Sequence, residues 1–325
     1  MRCRNDTHGQ IRLCYTFIMT VTKTKKRVGI LRGGVGKHYA SSLRHGGDII
    51  LHISENLSDK YQPIDILINQ DHIWHLGGLP ISPSDLAHRV DVVWNATHPS
   101  FSNILESLSI PSVGANSFSG TLESSKEMLR EHLKGSDIRM PRFILLPVYQ
   151  RDFDGLREKY AIKKAKEVFE KFPAPWIVKS LNVDTYMGIH VAKTFAELVG
   201  AIEDGVMHNT SILVEEFING KIASVHSVND FRGQDIYVFP IMNILGDFSL
   251  PEKEKLMDLA KNLHTNLGIE HYLKSSFVLH PRGRAYLLDV ELHPDLKPFS
   301  HFSQVCESVG AKTHHVVEHI LERAL

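Results

Sequence analysis

Two lysines and two acidic side chains in the last two thirds of the chain could bind a phosphate-rich ligand together with a metal ion. Lys126 lies in a helical segment, and Lys179 ends the predicted strand Trp176–Lys179. Lysine ammonium groups neutralise phosphate oxygens as point charges. Asp289 and Glu291 are two apart, so on a strand both face one side, where their oxygens could hold Mg²⁺. These side chains together predict a site for ATP and magnesium.

Two further segments could complete an ATP site. The loop Ser180–Gly188 directly follows Lys179, and backbone N–H groups of such a loop can cover phosphate oxygens. The segment Leu213–Gly220 indicates a strand followed by a linker, which can sandwich adenine and offer backbone hydrogen bonds to its edge. The purely structural alternatives are an exposed strand end at Lys179 and a solvated sheet edge at Glu215–Glu216.

A predicted hairpin would place the acidic pair beside a lysine. Its strands are Tyr272–Leu279 and Ala285–Leu292. The turn between them, Pro281–Arg284, contains proline and glycine, which favour tight turns. If the hairpin is centred in the middle of that turn, Ser276 lies opposite Asp289, and Lys274 lies opposite Glu291. The charge and the candidate metal ligands would then share one face of the sheet.

The elements that position these residues are predicted as strands alternating with helices. In residues 27–118 this alternation indicates a parallel sheet with functional loops at the carboxyl ends of its strands. Gly33-Gly34 follows the first strand and favours a tight turn into a helix. The predicted strands outside the hairpin are Val28–Leu31, Asp91–Asn95, Trp176–Lys179, Ile189–Ala192 and Ser211–Val214.

Hydrophobic periodicity predicts helices in all three parts of the chain. Leu256, Leu259, Leu263 and Leu267 recur at helical spacing and form a core-facing stripe. The predicted helices are Thr121–Leu133, 151–171, Phe195–Ile202, Pro251–Leu267 and Lys312–Ala324. We expect an N-terminal α/β lobe over 27–118, a central lobe over 119–210 and a C-terminal lobe with the metal site over 211–325.

Two familiar motifs are incomplete in this sequence. The segment Gly33–His38 resembles a phosphate loop, but Leu31 stands where a Walker A motif needs its first glycine, and His38 stands where it needs Ser or Thr. The segment His315–His319 matches an inverted zincin pattern, yet only six residues follow it, too few to supply a third ligand. Chance histidines on a surface helix are the simpler interpretation in a chain with 20 of them.

Composition favours a small-molecule ligand. Among 325 residues, Lys plus Arg and Asp plus Glu both number 37, so the basic excess that nucleic acids or anionic membranes require is missing. No apolar run reaches the roughly 20 residues of a membrane-spanning helix. The three cysteines show no CxxC spacing, which fits a reducing cytoplasm. Residues 1–26 are interpreted as a disordered or spurious extension, with Met19 as the alternative start.

The motifs together resemble the ATP-grasp enzymes. The resemblance rests on Lys179 after Ile177-Val178, a loop ending in Gly188, the segment Val214–Gly220 and the closing acidic strand. Within that superfamily, Gly33-Gly34, the run Ile110–Gly114 and the chain length resemble D-alanine–D-alanine ligases. The resemblance covers about residues 27–323. It implies an α/β protein with α+β lobes: an ATP-grasp fold behind an N-terminal parallel-sheet domain.

The resemblance implies roles for individual residues. Lys126 and Lys179 would contact the ATP phosphates, with Thr185 and Gly188 in the phosphate loop. Glu215 would accept a hydrogen bond from the adenine amino group. His98 and Lys274 match catalytic positions, Lys274 standing where the family has an oxyanion-stabilising arginine. The adenine linker would comprise Glu216, Phe217 and Ile218, and the magnesium ligands would be Asp289 and Glu291.

Several positions depart from the family pattern. His38 stands where the ligases place a glutamate for the substrate ammonium, and an imidazole cannot replace that charge. Ser276 replaces a magnesium-binding aspartate, and Ile222 replaces an acid expected at the ribose. Asp184 brings negative charge to the phosphate loop. In addition, the segment Asn243–Pro251 is too short to hold the family's lid loop.

The resemblance implies an ATP-dependent carboxylate–amine ligase that works through an acyl phosphate. Its cofactors would be ATP and Mg²⁺, and its substrate a small amino acid or dipeptide-like molecule. The family relationship further suggests peptidoglycan biosynthesis, a homodimer and a cytoplasmic location. Two alternatives stay open: a ligase for a different amino acid or peptide, and a diverged non-catalytic protein that binds nucleotide.

Overall fold

The computed structural model describes residues 24–36, 38–181, 185–242 and 247–325. Most of the predicted N-terminal extension therefore lies outside the described residues, as do Asp184 and the first residues of the predicted short lid segment. No helix in the described ranges is both long enough and apolar enough to cross a membrane.

The first sheet contains the predicted parallel strands. Strand β1 pairs in parallel with β2 on one side and with β5 on the other, and β6 continues the parallel order. A short antiparallel extension is added beside β2. The strands of this sheet are β1 Lys26–Gly33, β2 Tyr61–Ile68, β3 Trp74–Leu76, β4 Leu79–Ile81, β5 Val92–Asn95 and β6 Ser112–Val113.

The second sheet is antiparallel and runs in the order β7-β10-β8-β9. Its strands are β7 Phe143–Leu146, β8 Trp176–Ser180, β9 His190–Ala192 and β10 Ile212–Glu216. The chain passes to the third sheet through the linker 217–220. The predicted boundary between the central and C-terminal lobes, at residue 210, remains a prediction, and β10 lies on the central side of this linker.

The third sheet carries the predicted hairpin. Its order is β12-β11-β13-β14, and its strands are β11 Lys221–Asn229, β12 Ile236–Val238, β13 Tyr272–Leu279 and β14 Ala285–Glu291. Ser276 pairs with Asp289 and Lys274 with Glu291, so the predicted register is confirmed at the acidic pair. The register shifts between Ser276 and Phe277, because a β-bulge there places an extra residue in β14.

Helices cover the faces of these sheets. In the described part of the chain they are α1 Tyr39–Asn56, α2 Ser102–Ser107, α3 Ser117–Ser124, α4 Lys126–His132, α5 Arg151–Asp154, α6 Arg157–Lys171, α7 Phe195–Met207, α8 Leu250–Asn266, α9 His301–Ser308 and α10 Thr313–Ala324. Short 3₁₀ turns occupy Pro83–His88, Pro99–Phe101 and Phe231–Gly233.

Two predicted helices are each divided in the structure. The prediction of one helix over Thr121–Leu133 is wrong, since Ser125 separates α3 from α4 with extended backbone and its Oγ accepts a hydrogen bond from the N–H of Met128 at 3.3 Å. A free hydroxyl at such a position satisfies an unpaired N–H at the helix start. The predicted helix 151–171 is interrupted by Gly155, whose φ of 76° is left-handed.

The glycine turn after β1 forms as predicted. Gly33 and Gly34 have φ values of 88° and 94°, and a Cβ on Gly33 would lie 2.2 Å from the carbonyl oxygen of Ile68. Only glycine tolerates both the positive φ and that close approach. The turn ends at Gly36, and the next residue, Lys37, lies outside the described residues.

One hydrophobic core joins the two ends of the chain. Ile49 and Ile53 of α1 are fully buried in the same cluster as Val316 and Val317 of α10. Phe302 of α9 belongs to this cluster as well. The C-terminal helices therefore cover the N-terminal sheet, which holds the first and third sheets in one body.

The linker between the second and third sheets gives a test of close packing. A Cβ added at Gly220 would lie 2.3 Å from the carbonyl oxygen of Leu279, whereas one added at Gly200, exposed in α7, would meet nothing within 4 Å. We predict that Gly220→Ala lowers the free energy of unfolding by about 1–3 kcal/mol. The control Gly200→Ala should raise it by about 0.5–1 kcal/mol, because alanine is the better helix former. Urea denaturation measures both, and equal effects of the two substitutions would contradict the packing described.

Candidate functional site

Glu215 lies between Lys126 and Lys179 and contacts both. Lys126 Nζ donates a hydrogen bond to its Oε1, and Lys179 Nζ lies 3.0 Å from its Oε2. Lys126 is the first residue of α4, while Lys179 and Glu215 lie in the neighbouring strands β8 and β10. Lys179 pairs with Leu213, and Glu215 is two residues further along on the same face. We call these three side chains the lysine–glutamate cluster.

Burial makes the ion pairs of this cluster costly to break. The side chain of Glu215 is 7% exposed and that of Lys126 is 9% exposed, whereas Lys179 is 28% exposed. A carboxylate at this depth is costly unless it is paired and hydrogen-bonded, and here both oxygens have an ammonium partner. Two positive charges face one negative charge, so the cluster keeps an excess positive charge that can attract an anion.

The predicted hydrogen bond from the adenine amino group would have to use the same Glu215 carboxylate that binds the two lysines. An ionised carboxylate offers about four lone-pair sites, so two lysine contacts leave capacity for one further donor. An amino group of a ligand could therefore be bound in addition to the lysines. The role of Glu215 as an acceptor from adenine stays a prediction.

The linker after β10 is fixed by its own contacts. Arg142 donates from Nε and Nη2 to the two carboxylate oxygens of Glu216, both at 2.9 Å, and these hydrogen bonds lower the pKa of that carboxyl. The N–H of Phe217 donates to the carbonyl oxygen of Pro175 at 3.1 Å, so this N–H is not offered to a ligand. Ile218 is half-buried next to it. Glu216 therefore positions the linker through Arg142.

The described end of the predicted phosphate loop is open to solvent. Thr185 Oγ1 accepts from the N–H of Met187 at 3.4 Å, and Met187 itself is buried in the core of the central lobe. Tyr186 is 96% exposed, and Gly188 has open space around it. The buried Met187 fixes one end of the loop, while Thr185 and Gly188 remain predicted ATP contacts.

The third sheet presents a polar face next to its bulge. Lys274 Nζ donates to Glu291 Oε1 at 2.6 Å, and Asp289 lies opposite Ser276. Asp289 and Glu291 are both exposed on the same side of β14. Within the described residues, no three His, Cys, Asp or Glu side chains are arranged to hold a metal ion. Any ion bound here would need additional oxygen ligands from elsewhere.

Glu123 is a carboxyl group at this end of the site that sequence reasoning missed. It lies in α3, and its Oε1 accepts from the N–H of Leu292 at 2.8 Å. Burial raises its pKa to about 7, and the nearby charges of Glu291 and Asp289 add to the effect. Nothing in the local sequence distinguishes Glu123 from a surface glutamate, because its proximity to β14 is created only by the fold.

The two predicted catalytic residues lie in different lobes. His98 caps the 3₁₀ turn Pro99–Phe101, where its Nδ1 accepts from the N–H of Ser100 at 3.2 Å. Lys274 lies in β13 of the third sheet. No hydrogen bond or ion pair joins the two within the described part of the chain, and the catalytic role of each stays a prediction.

The two histidines of the zincin-like segment each have a hydrogen-bond partner in the structure. His315 Nδ1 accepts from the N–H of Lys312 at 3.3 Å, and His319 Nε2 lies 2.9 Å from the carbonyl oxygen of Asn229. Both side chains therefore have separate structural partners.

Comparisons with known proteins cover nearly the whole chain. A family model described as D-ala D-ala ligase C-terminus matches residues 144–244. A D-alanine–D-alanine ligase of Geotalea uraniireducens is 23% identical, over 94% of this chain and 98% of that protein. D-alanyl-alanine synthetase A of Vibrio cholerae superimposes with a TM-score of 0.70 at 16% identity, over 93% of this chain and 98% of the other. The ATP complex of the Bacillus anthracis D-alanine–D-alanine ligase gives 0.67 at 18%, over 93% and 97%.

The chain therefore resembles D-alanine–D-alanine ligases over nearly its whole length, and the solved structures show that it has their ATP-grasp fold.

Two departures from the family pattern lie on the polar face of the third sheet. Ser276 pairs across the sheet with Asp289 on one side and with Ser224 on the other. Ile222 pairs with Val278, so an aliphatic pair stands where the resemblance leads one to expect an acid at the ribose. His38 directly precedes α1 in the first lobe and is exposed. At Ser276 and Ile222 the chain therefore lacks the two acids that the resemblance leads one to expect.

The lysine–glutamate cluster predicts a large stability difference between two neighbouring glutamates. Glu215→Gln leaves two lysines facing a neutral amide, and breaking a buried ion pair on one side costs about 3–5 kcal/mol. Glu216→Gln is the matched control, since its partner Arg142 is 53% exposed and such pairs contribute about 0–1 kcal/mol. Urea denaturation of both variants without ligand measures the difference. Equal stabilities would show that Glu215 does not stabilise the cluster.

Proposed function

We propose that this protein is an ATP-dependent carboxylate–amine ligase that acts on a small amino acid or dipeptide-like substrate. The observation that carries the proposal is the lysine–glutamate cluster, because it holds two ammonium groups side by side at the sheet end where the family resemblance expects phosphates. The similarity to D-alanine–D-alanine ligases and the ATP complex of the B. anthracis protein support the same ligand.

The proposed reaction has two steps. The γ-phosphoryl group of ATP is transferred to a substrate carboxylate, which releases ADP and forms an acyl phosphate. An amine then attacks the acyl carbon, the C–O bond to phosphate breaks, and an amide, inorganic phosphate and a proton are released. Such transfers depend on positioning and on fixed positive charge more than on covalent chemistry by the protein.

Each residue of the site would have its own role in this reaction, set by its position. Lys126 and Lys179 bind the phosphates, and Glu215 keeps both ammonium groups in place. Lys274, held by Glu291, supplies positive charge to the oxyanion that develops as the amine attacks. His98 would contact the substrate from the first lobe. Closure of the lobes would exclude water from the acyl phosphate.

The donor set of β14 fits Mg²⁺ as the metal. Asp289 and Glu291 offer exposed carboxylate oxygens on one face, and Mg²⁺ is usually held by one or two carboxylates with substrate phosphates and waters. The ion would neutralise charge on the phosphates there. Because Lys274 shares Glu291, the metal and the oxyanion-stabilising lysine would be coupled through one carboxylate.

The non-catalytic alternative is weaker. A scaffold that had lost nucleotide chemistry would have no need to keep two lysines on one buried glutamate, since replacing buried ion pairs with apolar residues is often neutral or stabilising. A cytoplasmic location and a homodimer remain parts of the proposal that the family relationship suggests.

Phosphate release tests the proposed function. Wild-type protein with ATP and Mg²⁺ is given a panel of D- and L-amino acids, hydroxy acids and dipeptides, and phosphate is measured. We expect release that depends on the added amino acid and that falls by at least about a hundredfold in Lys179→Ala, because a phosphate-binding charge is lost. Lys163→Ala, an exposed lysine of α6, is the matched control and should retain full activity.

One result would contradict both the proposed function and the nucleotide-binding alternative. A wild-type protein that releases no phosphate with any compound of the panel, and whose thermal unfolding is unchanged by ATP, is neither a ligase nor a nucleotide-binding protein.

A further inference from the structure

Three side chains beside Lys274 form a continuous hydrogen-bonded chain that the proposed function does not use, and one of them, His226, is its neighbour across the sheet. Tyr272 Oη lies 2.6 Å from His226 Nδ1, and His226 Nε2 lies 2.7 Å from His301 Nδ1. Tyr272 lies in β13, His226 in β11, and His301 is the first residue of α9. The rings of the two histidines are 4.9 Å apart, and Phe302 packs against His226. We call these residues the Tyr–His–His chain.

The hydrogen bond of Tyr272 sets which atoms donate and which accept throughout the Tyr–His–His chain. The Tyr272 side chain is buried, and His226 Nδ1 is its hydrogen-bond partner among the described residues. A phenol that did not donate here would leave a buried O–H group unsatisfied, which is energetically costly. Tyr272 therefore donates, and His226 Nδ1 accepts.

The remaining proton positions follow from the chemistry of neutral imidazole. Burial lowers the pKa of both His226 and His301, and the positive charge of Lys274 lowers them further, so both rings are neutral near pH 7. A neutral imidazole has one N–H donor and one acceptor nitrogen. Because His226 Nδ1 accepts, its proton is on Nε2 and is donated to His301 Nδ1. His301 must then carry its own proton on Nε2.

That last N–H group has no partner in the described part of the chain. His301 Nε2 is buried from solvent and makes no hydrogen bond there. Lys274, whose charge acts on this ring, cannot serve as the partner, because an ammonium group is itself only a donor. The Lys274 ammonium and the His301 N–H therefore both require an acceptor oxygen, and Glu291 Oε1 satisfies only the lysine in this structure.

We propose that the Tyr–His–His chain fixes His301 as a neutral Nε2–H donor, and that this donor recognises a carboxylate oxygen of the amino-acid substrate beside Lys274. The second part takes its substrate class from the proposed ligase function, whereas the proton positions do not depend on that function. His301 would be a specificity-determining residue, and His226 and Tyr272 would be positioning residues that act through it.

The tautomer of His301 can be measured by NMR in the protein without ligand. Long-range ¹H–¹⁵N correlations of histidine rings show which nitrogen carries the proton, and His301→Gln assigns the signals by removing them. We expect His301 to be neutral with its proton on Nε2. In Tyr272→Phe the donor that sets the direction is lost, so His301 should become a mixture of tautomers. A proton on Nδ1 of His301 in the wild type, or an unchanged tautomer in Tyr272→Phe, would overturn the proposal.

Substrate recognition is tested with D-alanine as the probe. A glutamine side chain can place an amide N–H near the position of imidazole Nε2, whereas asparagine places it near Nδ1. We therefore expect His301→Asn to raise KM for D-alanine about tenfold or more, since a hydrogen bond to a charged group contributes about 1.5–3 kcal/mol. His301→Gln should restore most of this loss. His319→Asn, a half-buried histidine that bonds to the backbone elsewhere in the lobe, should leave KM unchanged.

The outcomes separate the two proposals. If D-alanine shifts the His301 Nε2–H resonance but no phosphate is released, the proposed function is wrong and the recognition by His301 stands. If D-alanine leaves that resonance unchanged, or if His301→Asn and His301→Gln have the same KM as the wild type, His301 does not contact the substrate.

Discussion

The carboxylate of Glu215 is the interaction on which the site depends. It holds Lys126 from a helix and Lys179 from a neighbouring strand within reach of one another, although two ammonium groups this close repel and are largely withdrawn from water. Without the carboxylate, one lysine would turn towards solvent and the proposed phosphate-binding arrangement would be lost. Because all three side chains are on rigid elements, the cations are positioned before a ligand arrives, and little conformational entropy has to be lost on binding.

The third sheet supplies the complementary half of the site. There Glu291 holds Lys274, and the neighbouring Asp289 leaves oxygen ligands facing outward on the same side of β14. The bulge in β14 is what brings the acidic pair into register with Lys274 and Ser276. On the same face His226 pairs with Lys274, and the hydrogen bonds of His226 to Tyr272 and His301 are proposed to set which ring nitrogens carry protons. The ion pair and the hydrogen-bonded histidines therefore belong to one polar unit on a single face of the sheet.

The sequence predicted the strands that carry the site, because short apolar runs ending in lysine or acid are a local signal. It also predicted the pairing of Lys274 with Glu291, since a Pro–Gly turn defines a hairpin register. It could not show that Lys126 and Glu215, 89 residues apart, share an ion pair, because that contact is created by folding. The break at Ser125 was not predicted, because the apolar residues keep a helical spacing on both sides of it. The spacing does not reveal that the Ser125 side chain caps a new helix.

Calorimetric titration with ATP and with adenosine tests the central claim most directly, because the two ligands differ only in the phosphates that the lysine–glutamate cluster is proposed to bind. The account predicts that the wild type binds ATP more tightly than adenosine. In Lys126→Met and Lys179→Met, the ATP affinity should fall by about tenfold to a hundredfold, since each loses a charge-assisted contact, while the adenosine affinity is unchanged. Variants that bind ATP as tightly as the wild type, or a wild type that does not distinguish the two ligands, would contradict it.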